Sequence, residues 1–260
     1  MRHYALIGEH LGHSLSVPIH EAVFRRLGLD ADYRLIGIPR DRLADEAPRL
    51  LRELDGFNVT IPYKREIMPF LTRIDPEAER IGAVNTVRTR PEAEGYNTDV
   101  GGFAAMLRHA GIDPAGRPCF VLGTGGASLA VCAALRRLGA AEVTTVSRHP
   151  AEGSISYGEL PERFSGVLVN TTPVGMWPDV SGCPIDPAVL PLLLRRAEGV
   201  ADVIYNPAET VLTAAARARG IPAITGLYML IAQALEAEAI WQERPVPEDL
   251  IAELMEELQP

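Results

Sequence analysis

The chain has 260 residues, 47% of them hydrophobic and 23% charged, a globular composition that excludes disorder, collagen and coiled coil. A net charge of -9 argues against a nucleic-acid partner, and no apolar run of about 18 residues offers a membrane span. The opening MRHYALIGEH lacks the apolar run of a signal peptide, so a cytoplasmic protein is expected, with Cys119, Cys132 and Cys183 reduced.

Hydrophobic periodicity predicts a βαβα opening. Tyr4 to Glu9 reads as a strand, SVPIHEAVFRRLGL as an amphipathic helix, DYRLIGIP as a strand, and Asp41 to Leu54 as a helix. The short strand FNVT, a break at Pro62, a helix from about Lys64 and two strand-like pieces, AVNTVRT and EGYNTD, follow. From Gly101 the rhythm becomes a regular alternation: helix GFAAMLRHAG, strand PCFVLG, helix GASLAVCAALRRLG, strands EVTTVSR, GVLVNTT and GVADVIY, helix TVLTAAARARG and strand IPAIT. Between Arg148 and GVLVNTT the stretch is short, and the usual second helix is expected to be missing. Two helices, Leu227 to Trp241 and Glu248 to Leu258, close the chain. The expected fold is α/β: a mixed first domain at 1–101, a Rossmann-like doubly wound domain at 102–225, and C-terminal helices at 226–260 that return to the first domain.

Of the 25 basic residues only Lys64 is lysine. Arginine serves wherever a fixed cation suffices but does not release its proton near neutral pH, whereas an amine can act as acid or base. Lys64 is therefore a catalytic candidate before any motif is considered. In CFVLGTGGAS, Gly123, Gly125 and Gly126 stand where a buried strand turns into an Ala-rich helix, the context of a dinucleotide loop whose amides and helix dipole receive phosphate. Ser128 occupies the last position of the G-x-G-x-x-G/A pattern, so the match is partial. The next strand ends in Ser147 and Arg148 rather than a carboxylate, which favours NADP over NAD.

The separated blocks HSLSVPIH, NVTIPYK, GAVNTV, GYNTD, GTGGAS, NTTPVGM and GLYMLIAQA together resemble the shikimate dehydrogenase family, in that family's order over nearly the whole chain. The resemblance implies two α/β domains whose cleft sets the substrate against the nicotinamide. It implies that Ser14 and Ser16 bind the substrate carboxylate, that Thr60, Lys64, Asn85 and Asp99 ring its hydroxyl-bearing face with Asn58 in support, and that Gln233 and Tyr205 reach it from later in the chain. Serine and aspartate at those positions can equally be helix N-caps, and Asn85 a turn residue. For the cofactor it implies Gly123, Thr124, Gly125, Gly126 and Ala127 on the phosphates, Ser147 and Arg148 on the adenosine phosphate, Val203 and Gly226 near the nicotinamide, and the strand end Asn170, Thr171 and Thr172 together with Met229 on the cofactor side. Departures are Val17 before Pro18, Glu21 after His20, Ser147, and Tyr228, which is expected to narrow the nicotinamide side.

The implied reaction is NADPH-dependent reduction of 3-dehydroshikimate to shikimate, in aromatic amino acid and chorismate biosynthesis. The cofactor supplies the hydride, Lys64 the proton, and Asp99 holds the ammonium. A quinate/shikimate dehydrogenase using NAD is the alternative enzyme, and a non-catalytic NADP-binding sensor the alternative outside enzymology. A folate-type methylene dehydrogenase would leave HSLS and GYNTD unexplained. The spacing of His10, His13 and His20 matches no ligand pair, and no metal is expected. Oligomeric state, a homodimer included, is left open.

Overall fold

The computed structural model describes residues 1–12 and 14–258; His13, one of the three histidines weighed for a metal, lies outside them. The chain forms two compact units, Met1–Asp99 with Ile231–Leu258, and Val100–Leu230.

In the first unit β1 (Arg2–Gly8), β2 (Ala31–Gly37), β3 (Gly56–Val59), β4 (Arg73–Ile74), β5 (Thr86–Arg88) and β6 (Glu94–Tyr96) form a mixed sheet in the order β2-β1-β3-β5-β6-β4. Strands alternate their side chains between faces, and β1 is buried on both. Ala5 and Ile7 pack with Leu43, Ala47 and Leu50 of α2 (Leu43–Glu53). Tyr4 and Leu6 pack on the other face with Tyr33, Ala237, Trp241 and Phe24 of α1 (Ser16–Leu27). Trp241 also donates its indole N–H to Val87 O at 3.0 Å, and Arg26 pairs with Asp249 and Glu253, so the C-terminal helices pack on this unit.

The helix expected from Lys64 does not form: hydrogen-bonded turns lead into a 3₁₀ turn at Met68–Phe70. Pro69 has no N–H to give to the carbonyl four residues back and its ring clashes with that carbonyl, so the turn that begins after Pro62 does not run on as an α-helix. The periodicity also missed α3 (Pro76–Ile81), which was legible in its caps: Asp75 accepts from the amides of Glu77 and Ala78, Pro76 is the first helical residue, and Gly82 closes the helix at φ 70°.

The second unit holds β7 (Pro118–Leu122), β8 (Glu142–Ser147), β9 (Ser154–Ser156), β10 (Gly166–Asn170), β11 (Ala197–Asp202) and β12 (Ala223–Ile224), all parallel in the order β12-β11-β10-β7-β8-β9. This is the doubly wound order, with its switch point between β7 and β10. Its helices are α4 (Asp99–His109), α5 (Gly126–Arg137), α6 (Leu160–Arg163), α7 (Leu190–Leu194) and α8 (Val211–Arg217); α9 (Leu227–Gln242) and α10 (Asp249–Glu257) follow. Where a missing helix was expected after β8, the chain makes the edge strand β9 and the single turn α6, both too short for periodicity to register. No helix among the described residues is long and apolar enough to cross a membrane.

Candidate active site

The candidate catalytic pair of the first unit is assembled from residues 35 apart in sequence. Lys64 Nζ donates to Asp99 Oδ2 at 2.6 Å, with side chains 16% and 11% exposed. The pair is therefore shielded from bulk water yet open to a small ligand. Lys64 is held at its backbone, where its carbonyl accepts from Val84 N at 2.7 Å, beside Asn85. An ammonium has three N–H donors and Asp99 takes one.

Asp99 is itself held by Asn85, whose Nδ2 donates to Asp99 Oδ1 at 2.9 Å and reaches Thr98 Oγ1 at 3.0 Å and Gln233 Oε1 at 3.4 Å. Asn85 Oδ1 accepts from the Thr98 backbone N–H at 2.8 Å. That backbone donor can only donate, so it fixes which end of the amide faces Asp99. Asn58 is also occupied: Tyr33 donates to its Oδ1 at 2.7 Å, and its Nδ2 donates to Asn85 O and Thr86 Oγ1. Both its amide hydrogens are taken within the protein, which makes Asn58 a support for the ring. Thr60, by contrast, makes no side-chain hydrogen bond among the described residues, and its methyl lies where a Cβ on Gly8 would come within 2.5 Å.

Ser14 and Ser16 meet at the start of α1. Ser14 Oγ donates to Ser16 Oγ at 3.0 Å and accepts from Ser16 N at 3.2 Å, while the N-cap position is Leu15 and no side chain caps the helix, so the two serines present hydroxyls without serving as its cap. The first turn of α1 carries no acidic residue, which leaves the positive end of its dipole open to an anion.

In the second unit, Gly123 turns the chain at φ 102°, where a Cβ would come within 3.0 Å of Thr171 Oγ1; a left-handed backbone and close neighbours both require glycine here. Thr171, the residue after β10, donates its hydroxyl to Leu122 O at 2.7 Å. Gly125 leads into α5, whose N-terminus has no side-chain cap and no acidic first turn, so the amides that follow Gly125, in the helix that opens with Gly126 and Ala127, can receive pyrophosphate. Ser128 is buried and donates to Gly125 O at 2.7 Å, which accommodates its departure from the fingerprint. These features fit a dinucleotide. Thr124 lies within the same turn, and Ser147 ends β8 with its hydroxyl on the backbone of His149, next to Arg148.

The ends of β10 and β11 are joined below this loop. Asn170 Nδ2 donates to Asp202 Oδ1 at 3.0 Å, while Asn170 Oδ1 accepts from Thr172 N and Oγ1. Asn170 is fully buried, so it holds Thr171 and Thr172 in place from beneath. Burial raises the Asp202 carboxyl to about 6. Gly226 lies where a Cβ would come within 2.1 Å of Val203 O, and its N–H donates to Ile204 O at 2.8 Å, bringing together two positions expected near the nicotinamide. Tyr205 follows in the same segment, its phenol pushed up by burial, and Met229 is buried near the start of α9. The departing Tyr228 stacks on His109 at 4.3 Å.

Sequence reasoning missed Tyr33, Thr86, Thr98, His20 and Glu238 as parts of this site. The available signal was strand register: Asn58 pairs with Thr86, and Thr86 with Tyr96, so polar residues stand opposite one another in the core. His20 is fully buried, stacks on Tyr33 at 4.0 Å and meets Glu238 at 2.6 Å.

The family model for the shikimate dehydrogenase substrate binding domain matches residues 6–87. A shikimate dehydrogenase (NADP(+)) of Clostridium perfringens is 36% identical, over 99% of this chain and 98% of its own length. Among solved structures, a chorismate mutase/shikimate 5-dehydrogenase fusion protein of Clostridium acetobutylicum superposes with a TM-score of 0.93 at 38% identity, covering 100% of this chain and 97% of that one. The shikimate 5-dehydrogenase of Thermus thermophilus, in complex with NADP(H) and shikimate, does so with a TM-score of 0.87 at 32% identity, covering 99% of each chain.

Proposed function

The chain belongs to the shikimate dehydrogenase family, and from that premise we propose that it catalyses the reversible NADPH-dependent reduction of 3-dehydroshikimate to shikimate. The observation that carries the reading is the 2.6 Å contact between Lys64, the sole lysine, and Asp99.

Bound NADP(H) supplies or accepts the hydride. The Lys64 ammonium donates its proton to the substrate oxygen as that oxygen gains negative charge, and in the oxidative direction the amine accepts the proton of the hydroxyl. Asp99 restrains the long lysine side chain by accepting its hydrogen bond, and Asn85 restrains Asp99. Ser14 and Ser16 take the substrate carboxylate, Thr60, Asn85, Gln233 and Tyr205 its hydroxyl and ring atoms, with Asn58 behind them. The amides from Gly123 to Ala127 hold pyrophosphate, Ser147 and Arg148 the adenosine phosphate. Thr171, Thr172, Val203, Gly226 and Met229 flank the nicotinamide from the strand ends that Asn170 secures. On this reading 1–101 is the substrate domain, 102–225 the dinucleotide domain and 226–260 its return to the first, and the enzyme works in the cytoplasm.

The test is absorbance of the reduced nicotinamide during oxidation of shikimate or quinate with NADP or NAD. NADP-linked turnover of shikimate that falls by a factor of about 10² to 10⁴ in Lys64→Ala, with NADPH binding retained, is the expected result. Preferred turnover of quinate with NAD would reassign the substrate, and cofactor binding without any turnover would reduce the protein to a sensor.

A further inference from the structure

We propose that Thr86 is a positioning residue for this reaction, the junction through which Tyr33 and Asn58 hold the Asn85, Asp99 and Lys64 chain in its working orientation. The inference rests on the function proposed above.

The hydrogen bonds carry a direction. Asn58 Nδ2 donates to the backbone carbonyl of Asn85, a group that can only accept, so Asn58 Oδ1 faces Tyr33 and the phenol must donate to it. The second hydrogen on Asn58 Nδ2 goes to Thr86 Oγ1 at 3.0 Å. Having accepted there, the Thr86 hydroxyl sends its single hydrogen onward, to Asn85 Oδ1 at 3.0 Å or Thr98 Oγ1 at 3.2 Å. Asn85 then donates to Asp99 Oδ1, and Asp99 Oδ2 receives Lys64. Each link donates toward Asp99, and a carboxylate, which only accepts when ionised, is the group such a chain must end on.

Among the described residues, Thr86 is the one hydroxyl that touches both amides. It is fully buried, and the register of β3 and β5 sets it directly opposite Asn58. Replacing the hydroxyl by a methyl leaves an Asn58 N–H without a partner in a buried site and leaves Asn85 Oδ1 to Thr98 alone, which donates to it from its backbone N–H and its hydroxyl. An unmade buried hydrogen bond is expensive enough to tilt the amides. Asn85 then meets Asp99 off its present axis, and Lys64 loses the fixed acceptor that aims it.

Two substitutions separate this role from packing. Thr86→Val keeps the methyl and the shape but drops the hydroxyl; Thr86→Ser keeps the hydroxyl and drops the methyl. Positioning requires that Thr86→Val lower kcat for shikimate about tenfold, the rate equivalent of one unmade buried hydrogen bond. NADP affinity by fluorescence titration should stay at the wild-type value, and Thr86→Ser should remain close to wild type. The reverse rank, serine worse than valine, or a valine variant with wild-type kcat, overturns the proposal. If Thr86→Val does not fold, Tyr33→Phe decides: it retains the ring stacked on His20 and removes the donor at the head of the chain, and an unchanged kcat there overturns the proposal equally. Wild-type protein that binds NADP but turns over no shikimate sinks the functional reading and this inference with it, whereas an active wild type with insensitive variants sinks the inference alone.

Discussion

His20 Nδ1 and Glu238 Oε1 meet at 2.6 Å with neither side chain exposed, joining α1, which opens with Ser16, to α9, which carries Gln233. Gln242 donates to the other Glu238 oxygen at 3.0 Å, and the imidazole lies flat on Tyr33. Removing one partner of a buried hydrogen-bonded pair strands the other without water, a loss of about 1 to 3 kcal/mol. Glu238→Ala should lower unfolding stability by that order in urea titrations, and a change below about 1 kcal/mol would show that the site relaxes without the pair.

Asp202 should make the stability of the second unit depend on pH with an unusual sign. Its partners, Asn170, Thr210 and the Ile204 amide, are all neutral, and burial raises the carboxyl from 3.8 to about 6. Between those values the folded chain holds a proton that the unfolded chain has released. Stability contributed by this group therefore falls as pH rises from about 4 to about 6, by about 2 to 3 kcal/mol in all. Asp202→Asn should remove that slope from the denaturation midpoints while shifting their level. Parallel pH profiles for wild type and variant would rule the assignment out.

Arg148 stands at the end of β8 with no carboxylate in the position that would select NAD. Charge-assisted bonds to phosphate are worth about 1.5 to 3 kcal/mol, so Arg148→Gln should raise the Kd for NADP about tenfold or more and leave that for NAD unchanged. Fluorescence titration with both cofactors measures the ratio. An equal change in the two would place the guanidinium away from the 2′-phosphate.

The long elements were legible because apolar patterns and turn residues are local: α1, α2 and α5 repeat their apolar positions at helical spacing, while β1 and β10 are short apolar runs and α9 a long, largely apolar one, so that length tells strand from helix. Short pieces were not. β4 has two residues and β9 three, too few for any period, and the helix expected after Lys64 is stopped by Pro69, which has no N–H to continue it.

The glycine turn at Gly123 and the rarity of lysine marked both candidate sites within the sequence alone, since each is a statement about what one residue type can do. What only tertiary structure decided is which polar groups meet. Lys64 finds Asp99 across 35 residues and His20 finds Glu238 across 218, while Thr86 reaches Asn58 because β3 and β5 run antiparallel in one register. Hydrogen bonds act over about 3 Å and depend on direction, so their partners are set by how strands align and helices return, which no local pattern encodes.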